Sequence, residues 1–194
     1  MPLYDQALYI AIDILVYISA AICFFGAFTS TGLWVKLFFF LLTICELIGL
    51  FITENHFLLP ITYASHLILL TAWLNPFETK QVAPKLVLRL LLLFLLFSFL
   101  FDLTIGRTVV SLFIMLLSLY TFLRIYAHPE QTHLLHLNIA IFLFFGIDFF
   151  LAATGDFLYK ENLKIVAWFW FFRALFLQYY YINVIRFSKK VVHF

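Results

Sequence analysis

The chain has 194 residues, of which 65% are hydrophobic and only 11% are charged, and its formal net charge is +2. A soluble domain carries roughly 25% charged residues, so this chain has too few polar side chains to cover a water-soluble globule. The small net charge, without a basic run or tail, gives no support for nucleic acid as a partner. We therefore expect an all-α integral membrane protein whose main partner is the lipid bilayer.

Seven apolar windows divide the chain, each close to the roughly 20 residues that a helix needs to cross a bilayer. In chain order, the predicted spans are residues 7–28, 32–53, 57–74, 86–103, 109–126, 136–154 and 165–187. Pro76, Pro84 and Pro129 fall between spans, and Pro60 falls in the first turn of the third span, where proline is tolerated. Seven spans and their loops use nearly the whole length, so residues 1–194 are predicted to form a single seven-helix transmembrane domain.

The positions of lysine and arginine predict the orientation, because these residues are enriched in cytoplasmic loops. With the N-terminus outside, eight of them fall on the cytoplasmic side: Lys36, Lys80, Lys85, Arg89, Arg124, Arg186, Lys189 and Lys190. Only Arg107, Lys160 and Lys164 fall outside. The N-terminal segment lacks the basic start of a cleavable signal peptide, so the first span is expected to be retained. We predict a multi-pass protein of the plasma or inner membrane, with its C-terminus in the cytoplasm.

Five ionisable residues lie within predicted spans, where such side chains are costly and usually face the protein interior. They are Asp13, Glu46, His66, Asp148 and Arg173, each on a different helix. At about 1.5 Å per residue, the four charged ones lie roughly 9–12 Å below the outer boundary and His66 a little deeper. We predict a ligand-binding layer at this depth. The fourth and fifth spans carry only serines in mid-span and are expected to face lipid or to pack.

Arg173 is the only cation in this layer and needs an acidic partner, for which Asp148 and Glu46 are the candidates. Three carboxylates against one arginine leave an excess of acid. Some carboxyl groups should then be protonated, bind a cation or reach water. The competing interpretation is a buried hydrogen-bond network that only holds the helices together.

A second polar cluster on the cytoplasmic side contains His128, Glu130, His133 and His136. His133 and His136 are spaced to share a helix face, but no well-defined third and fourth metal ligands accompany them. We interpret the cluster as a solvated loop and expect no metal site and no cofactor. The sequence leaves open whether His128, His133 and His136 bind anything.

Three functions are compatible with these patterns. The first is a receptor-like or accessory membrane protein that binds a small ligand, ion or proton in the outward-facing layer. It would act through a protein partner or a homo-oligomer, because no output domain is present. The second is a small proton- or cation-coupled transporter or channel subunit. The third is an intramembrane enzyme that uses His66 with a carboxylate or a metal. Walker, GxSxG and HExxH motifs are absent from the sequence, which makes catalysis the weaker interpretation.

Overall fold

The computed structural model describes residues 3–51, 58–74, 97–127 and 134–191, and every regular element in these ranges is a helix. The helices are α1 (Leu3–Thr29), α2 (Leu33–Phe51), α3 (Leu58–Leu74), α4 (residues 97–101), α5 (Leu103–Ala127), α6 (Leu135–Glu161) and α7 (Leu163–Val191). A bilayer core offers no partners for backbone N–H and C=O groups, so an apolar chain in it takes the form of long helices.

Four segments within the described ranges are long and apolar enough to cross a membrane. They are Gln6–Thr29, Leu103–Ala127, Leu135–Gly155 and Leu163–Lys189. Their length and composition indicate a membrane protein. The first three predicted spans correspond closely to α1, α2 and α3, whereas most of the fourth, residues 86–103, lies outside the described residues.

The predicted start of the fifth span was wrong. Helix α5 begins at Leu103 rather than at residue 109, because Asp102 caps its N-terminus. The Asp102 carboxylate accepts hydrogen bonds from the backbone N–H groups of Thr104 at 2.6 Å and Ile105 at 2.9 Å. Such a cap satisfies N–H groups that have no partner in the first helical turn. Arg107, which was assigned to an outer loop, therefore lies within the first two turns of α5.

Two short turns connect helices within the described ranges. Between α1 and α2, Gly32 adopts a φ of +88°, a left-handed conformation that favours glycine. The preceding Thr31 hydroxyl donates a hydrogen bond to the backbone carbonyl of Ser188, which joins this turn to the end of α7. Helix α6 continues to Glu161, beyond the predicted end at residue 154, and Asn162 alone separates it from α7.

The six long helices form a closed ring in the order α1, α2, α3, α5, α6 and α7, with α7 packed back against α1. The interior is filled largely by aromatic side chains, including Phe39, Phe145, Tyr180 and Tyr181, none of which is exposed. This order places α3, α5, α6 and α7 around one end of the ring interior, and the polar residues described below meet there.

Helix α5 packs against the bundle, which is one of the two alternatives that the sequence left open for it. Ser111 and Ser118 are fully buried and lie on the face of α5 that packs against the bundle. The Ser118 hydroxyl donates to the Asn138 side-chain oxygen at 2.8 Å, and the Asn138 amide donates to the Ser118 carbonyl at 2.9 Å. These reciprocal bonds join α5 to α6, as polar side chains often do between membrane helices.

Candidate functional site

Asp148 of α6 is the centre of a buried ionic cluster. Its Oδ1 accepts hydrogen bonds from Arg107 Nη2 and from Arg173 Nε, both at 2.6 Å. Its Oδ2 accepts from the Tyr63 hydroxyl and from the Ser111 hydroxyl, the latter at 2.7 Å. The Asp148 side chain has no exposed surface, and four donors from three other helices saturate it. We call these five residues the Asp148 cluster.

The two arginines approach Asp148 from the helices on either side of α6. Arg107 comes from α5 and Arg173 from α7, and their side chains are 15% and 20% exposed. The ring of Trp170 lies between them, with its centroid 5.4 Å from the Arg107 guanidinium carbon and 5.1 Å from that of Arg173. Cation–π contacts of this kind favour guanidinium groups that are removed from water. Arg107 Nε also donates to the Tyr63 hydroxyl at 3.1 Å.

The charge of the Asp148 cluster is the reverse of the predicted excess of acid. Two guanidiniums face one carboxylate, so one positive charge is in excess. Arg173 also lies in the electric field of Glu46, although no ion pair joins the two. Arg107 forms its ion pair with Asp148 and also donates to Tyr63. The Asp148 cluster therefore carries one positive charge in excess, which Arg107 and Arg173 share.

A cavity of about 210 Å³ opens beside Arg107 of this cluster. Arg107 is the only charged side chain among its described lining residues, which are Leu59, Leu103, Thr104, Arg107, Leu151, Ala152, Gly155 and Trp170. The Arg107 hydrogen bonds in the described part of the chain use Nε and Nη2 and leave Nη1 without an acceptor. We call this space the outer cavity, after its place at the end of the bundle where α5 begins.

Comparison with known protein families, with curated proteins and with solved structures finds no match for the chain. The functional argument therefore starts from the geometry of the Asp148 cluster and the outer cavity. This geometry combines a fixed carboxylate, a partly saturated guanidinium and a small apolar space. Such a combination can hold an anion but has little capacity to bind a cation.

His66 is close in sequence to Tyr63 of the Asp148 cluster, but its side chain lies among aromatic rings. It lies three residues after Tyr63 on α3, and its Nδ1 is 2.7 Å from the backbone oxygen of Thr62 on its own helix. The imidazole is packed among aromatic rings from three other helices, with Phe38 at 5.2 Å, Tyr180 at 5.5 Å and others further away. Its Nε2 is buried and has no hydrogen-bond partner among the residues that the structure describes. Within the described residues, His66 therefore does not form the acid–base pair with a carboxylate that the enzyme hypothesis requires.

Glu46 and Asp13 were predicted to share the layer, and neither contacts the Asp148 cluster. Glu46 of α2 is half-buried, and the ion pairs of the described residues leave it out. Asp13 of α1 is exposed on the outer surface of the ring, beside Ile10 and Ile14. Helical depth was predicted from residue number, but the direction in which each side chain points around its helix was not.

The structure brings together two of the five predicted residues, Asp148 and Arg173, and adds three that the sequence analysis missed. Arg107 was missed because the fifth span was started too late. An aspartate followed by an apolar run is a helix-start signal, and Asp102 before Leu103 fits that pattern. Tyr63 lies three residues before His66, a spacing that places both on one face of α3, and this spacing is the signal that could have indicated it. Ser111 gave no signal beyond being a serine in an apolar span.

The predicted cytoplasmic cluster falls mostly outside the described residues, which include neither His128 nor His133. His136 is described and is exposed in the first turn of α6. In the described ranges, no three His, Cys, Asp or Glu side chains lie close enough together to hold a metal ion.

Proposed function

We propose that this chain is a seven-span membrane protein that binds a small anion in the outer cavity, with Arg107 as the charged contact. In this proposal the N-terminus lies outside and the protein is receptor-like or accessory. A bound anion would change the packing around α5 and α6, and a partner protein or a second copy would receive that change. The excess positive charge of the Asp148 cluster, with Arg107 lining an open cavity, is the observation that carries the proposal.

The hydrogen-bonding state of Arg107 supports an anionic ligand rather than a cation. A guanidinium presents several N–H donors in one plane and binds carboxylate or phosphate oxygens at two points. Asp148 and Tyr63 use one side of this donor set, and Nη1 remains for a ligand. In a low-dielectric interior, an anion beside an excess positive charge gains more energy than it does in water. Asp148 itself is a poor proton carrier, because protonation would disrupt two ion pairs at once.

The size and lining of the outer cavity limit the ligand. Its volume of about 210 Å³ lies below the roughly 300–1,000 Å³ of drug-sized pockets, so the ligand has few heavy atoms. Three leucines and a tryptophan make up half of the eight described lining residues, and Thr104 adds one hydroxyl. A small carboxylate with a short apolar body fits this combination of one cation and apolar walls.

The proposal is tested by heating the purified protein in detergent with sodium acetate, butyrate, phosphate or chloride at equal ionic strength. A ligand at about 100 times its Kd stabilises the folded state by about 2.7 kcal/mol. We expect a carboxylate to raise Tm above its value in chloride. If acetate, butyrate and phosphate all give the chloride value, the proposal is wrong.

Two neighbouring alanines provide a variant and its matched control. Ala152 is buried and lines the outer cavity, whereas Ala153 is exposed on the other side of α6. Ala152→Leu should fill the cavity and abolish the carboxylate-dependent rise, while Ala153→Leu should keep it. Arg107→Lys keeps the positive charge but loses the planar donor set. The carboxylate-dependent rise in Tm should therefore be smaller in this variant but still present. An equal rise in all three variants would place the binding elsewhere.

A proton- or cation-coupled transporter is the second candidate, and Glu46 is the observation that favours it. Glu46 is a half-buried carboxyl group within α2 that makes no ion pair with Arg173, so its protonation would leave the Asp148 cluster intact. Uptake into liposomes under a pH gradient tests this function. Loss of uptake in Glu46→Gln, with uptake retained in Asp13→Asn, would favour the transporter over the anion-binding receptor.

A further inference from the structure

A second cavity lies at the opposite end of the bundle, where α6 begins and α7 ends. Its volume is about 420 Å³, twice that of the outer cavity. Its described lining residues come from these two helices: His136, Leu137, Tyr179, Asn183, Arg186, Phe187 and Lys189. We call it the α6–α7 groove. It shares no lining residue with the outer cavity and is independent of the proposed function.

The polar lining of the α6–α7 groove is basic. Arg186 and Lys189 of α7 and His136 of α6 are exposed at its mouth. None of the lining residues that the structure describes is acidic, and the ion pairs of the described ranges include neither Arg186 nor Lys189. The first turn of α6 adds backbone N–H groups at the positive end of a helix dipole. This end of the groove therefore attracts anions.

The remaining lining suits a molecule that is both charged and apolar. Leu137 and Phe187 are buried in the wall, and Tyr179 is half-buried beside them. A groove between membrane helices, with cations at its mouth and apolar side chains along its wall, is the form in which membrane proteins bind acidic lipid headgroups. In the predicted orientation, this mouth faces the cytoplasmic leaflet, which is the more anionic one.

We propose that the α6–α7 groove binds the phosphate of an anionic phospholipid, with Arg186 and Lys189 as charged contacts and His136 as a third donor. The apolar wall receives the first carbons of the acyl chains. A free phosphate ion shares the headgroup chemistry but makes no use of Leu137 and Phe187. Lipid and free ion are therefore separable by experiment.

The test places the full chain in nanodiscs of phosphatidylcholine mixed with phosphatidylglycerol and counts the lipids retained on the protein by native mass spectrometry. We expect retention of phosphatidylglycerol in preference to phosphatidylcholine. The double variant Arg186→Gln and Lys189→Gln should bind phosphatidylglycerol about 25-fold more weakly, because each cation near a headgroup contributes about fivefold. Both side chains are exposed, so the fold should persist, and the charge-conserving Arg186→Lys should keep most of the binding.

The matched control removes the same charge from the other end of the same helices. Lys160 of α6 and Lys164 of α7 are both exposed there, so Lys160→Gln with Lys164→Gln should leave phosphatidylglycerol retention unchanged. Equal loss in both double variants, or no preference over phosphatidylcholine, overturns the proposal. Displacement of the lipid by millimolar inorganic phosphate would assign the groove to a soluble anion and overturn the headgroup assignment.

Discussion

Helices α1 and α6 have the same length and similar composition, yet the aspartate within the span is exposed in α1 and buried in α6. Each has 27 residues, and each carries one aspartate in the outer half of its predicted span. Asp148 of α6 is completely buried and receives four donors, whereas Asp13 of α1 is exposed among isoleucines. The neighbouring helices account for the difference. The helices on either side of α6 present two arginines and a serine to Asp148. The Gln178 amide of α7 donates to the Leu15 carbonyl of α1, and no described donor from α2 or α7 reaches Asp13. A carboxylate is buried where its neighbours supply donors.

The largest expected effect on the free energy of unfolding comes from neutralising Asp148, and neutralising Asp13 in a separate variant is the comparison. Asp148→Asn leaves two arginine side chains with no carboxylate between them. Removing one partner of a buried ion pair costs about 3–5 kcal/mol, because the remaining charge is left uncompensated. Unfolding followed by circular dichroism, during titration of a mild detergent with SDS, measures this loss. Asp13→Asn breaks no ion pair of the described residues and leaves no arginine uncompensated, so it should destabilise the protein far less than Asp148→Asn does. A similar loss in both variants would contradict the contrast between α1 and α6.

For glycine substitutions we expect the opposite order, with the larger loss of stability in α1 and the smaller one in α6. A Cβ added to Gly26 of α1 would lie 2.7 Å from the ring of Phe39 on α2, whereas one added to Gly146 of α6 would meet only Met115, at 3.8 Å. Overpacking of this kind costs about 1–3 kcal/mol. Gly26→Ala should therefore destabilise the protein by that amount in the same SDS titration, and Gly146→Ala should be neutral or slightly stabilising. Equal effects would show that α1 and α2 separate easily.

The sequence predicted the positions of the first three helices along the chain well and the direction of polar side chains around each helix poorly. Hydropathy depends on the number of consecutive apolar residues, so α1, α2 and α3 were found nearly to their ends. Asp148 and Arg173 were paired correctly because a buried guanidinium requires an acid. Asp13 satisfied the same depth criterion, but nothing in one sequence states which face of α1 meets the ring interior.

The sign of the cluster's charge depended on one helix boundary and on the directions in which Asp13 and Glu46 point. Starting the fifth span at residue 109 placed Arg107 in a loop and left one cation against three acids. The Asp102 cap moves Arg107 into α5, and the cluster becomes cationic. Because Asp13 and Glu46 lie outside the cluster, two arginines then face one carboxylate. Boundary residues are the least predictable part of a span, and here they contribute to the charge of the cluster.

A smaller effect is expected from the hydrogen bonds that join each helix to its neighbours. Asn138 of α6 exchanges two hydrogen bonds with Ser118 of α5. In the described part of the chain, the Ser19 hydroxyl of α1 bonds to the Leu15 carbonyl of its own helix and to no other helix. Interhelical bonds in membranes contribute about 0.6–2 kcal/mol. Asn138→Ala should therefore lower the free energy of unfolding by that amount, with little change for Ser19→Ala. If Ser19→Ala costs as much as Asn138→Ala, bonding within a helix matters as much as bonding between helices.

Asp102 is a third aspartate, which is exposed like Asp13 but accepts hydrogen bonds as Asp148 does. The backbone N–H groups of Ile105 and Thr104 hold the pKa of its carboxyl below the usual value. A carboxyl group whose pKa is lower in the folded protein stabilises it above the unfolded pKa. That stabilisation is lost as the pH falls through the folded pKa. Asp102→Asn keeps a capping side chain without the charge, so it should be slightly less stable than the parent at neutral pH and equally stable in acid. A difference in Tm that stays constant from neutral to acidic pH would show that the charge on Asp102 does not contribute to the start of α5.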